Sequence, residues 1–142
     1  MLYFAYGSNL NHEQMQERCK DSQYIKFFFL DDYKLFFCAF SSGYGVANIV
    51  KKLGSNVPGC IWEISERDEK ALDYYERFPK KYSKDFFKLD GEKVMFYIIK
   101  KKFSIQLPIK QYSDLIFQGY KDCNLDREYL RKRIRDHKIE KQ

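Results

Sequence analysis

An apolar run, Leu2-Tyr3-Phe4-Ala5-Tyr6, stops against Gly7-Ser8-Asn9, and a polar helical pattern opens at Asn11. This predicts a strand feeding a tight loop, then a short helix from Asn11 to Arg18 with Asn11 as its N-cap. Two β-rich stretches follow, Gln23 to Leu30 and Tyr33 to Phe40, divided by the turn-forming pair Asp31-Asp32. Ser41 to Gly45 reads as a turn, Val46 to Lys51 as a strand, and Gly54-Ser55-Asn56 as the opening of another strand that ends at Ile64. Ser65 is placed to cap a helix over Glu66 to Tyr75, whose acid-rich first turn suits the helix dipole. Ala71, Leu72 and Tyr75 mark its expected inward face, and Pro79 blocks continuation. Tyr82 to Leu89 and Lys93 to Ile99 form a hairpin pattern around Asp90-Gly91. After Pro108, the residues Tyr112, Leu115, Ile116, Gly119 and Tyr120 recur at helical spacing, and Asp126 can cap a last helix that turns Leu130 and Ile134 inward. The order is α+β, with no repeat and no linker, so residues 1–142 are expected to form a single domain.

Composition narrows the class. The chain has 142 residues, of which 44% are hydrophobic and 18% aromatic, enough for a continuous core. Cys19, Cys38, Cys60 and Cys123 lie far apart inside apolar patterns, which favours buried reduced thiols over disulfides. His12 and His137 lack metal-ligand spacing, so no metal is expected. No apolar run reaches membrane-spanning length, and no basic segment precedes the first one, so neither a membrane nor a signal peptide is expected and the cytoplasm is the default location. The net charge of +6 gathers in Lys100-Lys101-Lys102 and from Arg131 to Lys141. Without a sequence-reading motif, these runs point to a solvated face rather than a specific nucleic-acid site, the other reading being a basic surface adaptor.

The loop at Gly7 is the first candidate for chemistry. Glycine tolerates positive φ and lets backbone N–H groups approach a ligand, so the loop can hold an anion, although Gly-Ser-Asn is equally ordinary turn chemistry. The run Tyr3 to Leu10 closely resembles the N-terminal signature of the γ-glutamylcyclotransferase-like family, which includes γ-glutamylamine cyclotransferases and plant avirulence-induced relatives. Gly45 to Ile49 resembles the family's short second strand, and Val57 to Ile64 its glycine- and tryptophan-bearing strand. Leu72-Asp73-Tyr74-Tyr75-Glu76, with Pro79 and Tyr82 behind it, resembles the helix end that carries its acidic residue. Gln111-Tyr112, Gly119-Tyr120 and Leu125 to Leu130 follow its helical tail.

The resemblance implies a small mixed barrel-like β-sheet with flanking helices. It also implies an activity on a small-molecule γ-glutamyl compound, whose α-amine attacks its own γ-carbonyl to give 5-oxoproline and a free amine or amino acid. No cofactor is required. By matching positions, Glu76 carries the catalytic glutamate, and without the resemblance it would be read as one partner of a structural salt bridge to Arg or Lys. Tyr6, Gly7, Ser8 and Asn9 would bind substrate, the loop amides receiving the α-carboxylate. Tyr82 would hydrogen-bond Glu76 or the reacting carbonyl, unless it is a strand-start aromatic with an exposed hydroxyl. Trp62 and Tyr120 are assigned to the core.

An unperturbed glutamate lies ~3.5 pH units below an α-amine, about 5 kcal/mol of proton transfer, so Glu76 is expected to be buried with a raised pKa. Arg77, Lys80, Lys81 and Lys84 are then expected to face solvent. Arg77 stands where the family commonly has glycine; it would accept a strained turn or adopt another, and could rim the pocket to favour an acidic tail on the substrate. The loops Ser41 to Tyr44 and Phe78 to Lys81 are the candidates for facing the leaving amine. The alternative function is a catalytically inactive small-molecule-binding or regulatory module of the same fold.

Overall fold

A computed structural model describes residues 1–39, 43–101 and 103–141. The strands are β1 (Leu2–Ala5), β2 (Gln23–Ala39), β3 (Val46–Glu63), β4 (Ser83–Leu89), β5 (Glu92–Ile98) and β6 (Ser104–Ile105). They form one curled sheet in the order β4-β5-β1-β3-β2-β6, with β1 parallel to β5 and every other pairing antiparallel. Four helices accompany it: α1 (His12–Arg18), α2 (Glu66–Tyr75), α3 (Lys110–Asp122) and α4 (Arg127–Lys141). No helix among the described residues is long and apolar enough to cross a membrane. The α+β, barrel-like expectation holds.

Two strand boundaries do not. The four stretches expected between Gln23 and Ile64 are two long strands, because Asp31-Asp32 forms a bulge instead of a chain reversal. Asp32 takes φ 64° and Gly54 φ 86°, and the Gly54 N–H donates to Asp32 Oδ1 at 3.0 Å, so the turn-forming residues bend a ladder that continues from Asp31↔Asn56 to Tyr33↔Lys51. β6 carries no pattern of its own and, among the described residues, pairs with Cys38 and Ala39. Phe40 and the expected turn residues Ser41 and Ser42 lie outside the described residues. The hairpin at Asp90-Gly91 is as expected, with φ 51° and 83° at its two central residues.

Helix ends follow their caps. Asn11 Oδ1 accepts from Gln14 N at 2.9 Å to start α1. Ser65 and Asp68 form a reciprocal capping box at the start of α2, both bonds 3.1 Å. The inward face of α2 is Asp68 and Leu72. Tyr75, expected inward, is 51% exposed, and Leu115 of α3 likewise turns outward while Ile116, Gly119 and Tyr120 are buried.

The core includes Phe4, Phe37, Ile61, Trp62, Phe96 and Tyr120, all at most 1% exposed, so Trp62 and Tyr120 are core residues. All four cysteines are buried and free. Gly119 allows α3 to close on the N-terminal loop, since a Cβ there would lie 2.6 Å from Leu10 Cβ and 2.7 Å from Asn11 N.

Candidate active site

Glu76 is the C-cap that follows the last residue of α2, Tyr75, and the helix stops there in a Schellman motif. Arg77 N donates to Tyr74 O at 3.2 Å and Phe78 N to Asp73 O at 2.9 Å, which requires the residue between them, Arg77, to take a left-handed conformation, φ 54°. Glycine suits that position, so arginine here occupies a strained backbone instead of changing the turn. Its side chain is exposed.

The N-terminal loop meets Glu76 across a cavity of about 230 Å³, below the range typical for drug-sized ligands. Tyr6, Gly7, Ser8, Asn9, Glu76 and Tyr82 all line it. Gly7 has φ −119°, so it does not use the positive φ that glycine permits. What excludes larger residues there is space: a Cβ on Gly7 would stand 3.1 Å from Ala47 Cβ and 3.7 Å from the Tyr112 hydroxyl. Ser8 to Leu10 forms a single 3-10 turn, pinned by Trp62 Nε1 donating to Asn9 O at 3.1 Å.

Asn9 connects the loop to the carboxylate. Arg18 has no acceptor, so Asn9 presents its oxygen there, with Nη1···Oδ1 2.8 Å, and turns its amide nitrogen to the Tyr3 hydroxyl at 3.0 Å and to Glu76 Oε1 at 3.4 Å. Burial pushes the Glu76 carboxyl up to about 7, against the opposing pull of Arg18 and Lys81. The raised value is the expected one, but two of the cations are not placed as expected. Arg77 and Lys80 are exposed, whereas Lys81 lines the cavity and Lys84 is held by Glu69 at 2.8 Å and Asp73 at 2.9 Å.

Tyr82 does not bond Glu76, and its hydroxyl is not exposed. The ring is buried and the hydroxyl donates to Ala47 O at 2.6 Å, so its proton is committed to the backbone. Tyr6 is committed likewise, to Tyr97 O at 2.6 Å, and Tyr97 to Asp73 Oδ1 at 2.7 Å. Tyr112 differs: its oxygen accepts the Ala47 N–H at 3.0 Å, which leaves its own O–H proton for a ligand. Burial holds that phenol well above its ordinary pKa, so it stays a donor. Arg18 and Tyr112 are among the lining residues that sequence reasoning missed, whereas Lys81 lies in the Phe78 to Lys81 loop expected to face the leaving amine, although its cation was expected in solvent. Tyr112 stood out only as part of an apolar helical face and of the family's helical tail, and Arg18 only as the end of a short helix.

Residues 3–115 match the family described as gamma-glutamyl cyclotransferase, AIG2-like. The chain belongs to this family. Mouse gamma-glutamylcyclotransferase is 33% identical over 81 residues, a match that covers 53% of this cyclotransferase-family chain and spans 43% of the mouse protein's length. A solved gamma-glutamyl cyclotransferase superposes with a TM-score of 0.79 at 27% identity, covering 92% of this chain and 84% of that one. The crystal structure of an uncharacterized human protein gives 0.78 at 28% identity with the same coverage. The family assignment thus reaches from β1 into α3 and includes every residue that lines the cavity.

Proposed function

We propose that the chain is a γ-glutamyl cyclotransferase that releases 5-oxoproline and a free amine or amino acid from a γ-glutamyl compound. The observation that carries the reading is Glu76, a carboxylate recessed in a small cavity and raised by burial to about 7, directly opposite the Gly7 to Asn9 loop. In this reading the substrate's α-ammonium gives one proton to Glu76, the freed amine attacks the γ-carbonyl, and the γ-amide bond breaks as Glu76 returns that proton to the departing nitrogen. The second proton, shed as the α-nitrogen becomes the lactam N–H, passes to the released amine, which leaves as an ammonium. Nucleophile and electrophile belong to one molecule, so the cavity acts chiefly by folding the glutamyl chain into a ring-closing conformer. No cofactor takes part.

The backbone amides of Gly7, Ser8 and Asn9 receive the α-carboxylate, Tyr6 and Tyr82 wall the glutamyl chain, and the Tyr112 hydroxyl donates to the γ-carbonyl as negative charge develops on its oxygen. Asn9 orients Glu76 through its amide group. The test is 5-oxoproline release, measured chromatographically, from a panel of γ-glutamyl amino acids and γ-glutamylamines. Release from at least one, abolished in Glu76→Gln, supports the reading. No release from any overturns it.

A further inference from the structure

Two partly buried cations share the cavity with one carboxylate. The ion pairs beside it run from Lys84 to Glu69 and Asp73, and among the described residues neither Arg18 nor Lys81 forms one. The Arg18 guanidinium is nevertheless engaged: it donates to Asn9 Oδ1 and lies 4.4 Å from the centre of the Tyr75 ring. Lys81 has a more distant ring contact and no acceptor among the described residues. Its ammonium sits 5.9 Å from the Tyr82 ring centre, within electrostatic reach of Glu76 and Cys38, and makes no side-chain hydrogen bond among the described residues. A half-buried ammonium without an acceptor is incompletely desolvated charge, which a ligand anion would neutralise. Burial shifts the Lys81 pKa downward, consistent with that deficit.

We propose that Lys81 is the specificity-determining residue of this cavity, its ammonium receiving a carboxylate carried on the leaving-amine side, so that the preferred substrate releases an α-amino acid rather than an uncharged amine. The assignment rests on the cyclotransferase reading. In a γ-glutamyl α-amino acid, the second carboxylate is one carbon from the amide nitrogen. Glu76 must return its proton to that nitrogen, so the carboxylate is obliged to lie beside Glu76, where Lys81 is. The loop amides, with Arg18 behind Asn9, serve the other carboxylate. Arg77, the residue that the sequence suggests for an acidic tail, is exposed and does not line the cavity. The balance is unchanged by this assignment: the γ-carbon gains a bond to the α-nitrogen and loses its bond to the amino-acid nitrogen, which takes up the proton carried by Glu76.

γ-Glutamylalanine and γ-glutamylethylamide differ by this carboxylate alone. Their kcat/KM values should be measured with the wild type, Lys81→Met and Lys81→Arg, alongside calorimetric binding of both compounds. The wild type should favour γ-glutamylalanine about 10- to 100-fold, the range of one charge-assisted hydrogen bond. Lys81→Met should lose most of that ratio, and Lys81→Arg should retain it. Equal kcat/KM values in the wild type, or a ratio that survives in Lys81→Met, would overturn the assignment. If neither compound is turned over, the wider panel decides the cyclotransferase reading and calorimetry decides about Lys81 separately. A wild-type preference in Kd that collapses in Lys81→Met sustains it, and equal affinity or no binding of either compound refutes it.

Discussion

Replacing Glu76 by glutamine should abolish catalysis and at the same time stabilise the folded chain above neutral pH. Both effects come from the same burial, which lifts the carboxyl from 4.5 to about 7. Facing an α-amine near 7.7–8.0, such a base is short by ~1 pH unit, about 1.4 kcal/mol, whereas a solvated glutamate would be short by about 5 kcal/mol. The raised pKa has the opposite sign for folding. Below ~4.5 the carboxyl is neutral in both states and carries no penalty; as pH rises toward 7 the unfolded chain ionises first and stability falls; above 7 the full penalty applies. At ~1.4 kcal/mol for each pH unit, the rise from 4.5 to about 7 corresponds to at most ~3.5 kcal/mol.

Glutamine carries no charge to desolvate and can still accept the Asn9 amide hydrogen at the position of Oε1. Urea unfolding at pH 5 and pH 8.5 should therefore show the stability advantage of Glu76→Gln growing with pH. 5-Oxoproline release should fall by about 10²- to 10⁴-fold. In the wild type, kcat/KM should rise with pH through about 7, not through the ordinary glutamate value. Wild-type-like turnover by the folded variant would refute the assigned base, and a pH-independent stability difference would refute the burial argument beneath it.

Gly7→Val should lose binding of 5-oxoproline, read by calorimetry, because its side chain must enter a gap that already places a Cβ 3.1 Å from Ala47 Cβ; overpacking should also lower stability by about 1–3 kcal/mol. Normal binding would show that the loop does not hold the ligand. Arg77→Gly should stabilise the fold by roughly 0.5–1 kcal/mol, since it relieves a left-handed residue with an exposed side chain while adding freedom to the unfolded chain. Thermal unfolding is the check, and a lower Tm would mean that the Schellman turn tolerates arginine without strain.

Which parts of this site could be read from the chain depended on the range of the forces that fix them. Ser65, Asn11 and Asp90-Gly91 act within a few residues, and each does what its local chemistry dictates. Glu76 and the Gly7 loop were found because both lie in short motifs with a fixed order. The misses are all tertiary. Tyr82 gives its proton to Ala47, 35 residues away, a partner that no local pattern names. Asp31-Asp32 has turn chemistry, yet pairing of β2 with β3 on both sides overrides it. Lys81 follows Lys80 in a basic run, and no local pattern distinguishes the second, which lines the cavity, from the first, which is exposed. Arg18 ends a seven-residue helix and is turned toward Glu76 by Asn9 and the Tyr75 ring.

Arg18 also bears on how the base is tuned. Burial alone would carry the Glu76 carboxyl higher than about 7, and the positive charges of Arg18 and Lys81 hold it down. A base pushed too far would be protonated at working pH and unable to accept the ammonium proton; one pulled too low would lack the affinity for it. Arg18→Gln separates this role from structure, because the glutamine amide can still donate toward Asn9 Oδ1 while the charge is gone. The sign follows directly: removing a cation destabilises the carboxylate, so the Glu76 pKa must rise, and the ascending limb of kcat/KM must move to higher pH than in the wild type. At pH 6.5 the variant should therefore be slower than at its own plateau by a larger factor than the wild type is. A limb that stays in place, or moves downward, would show that Arg18 does not act on Glu76 through its charge and serves only to hold Asn9.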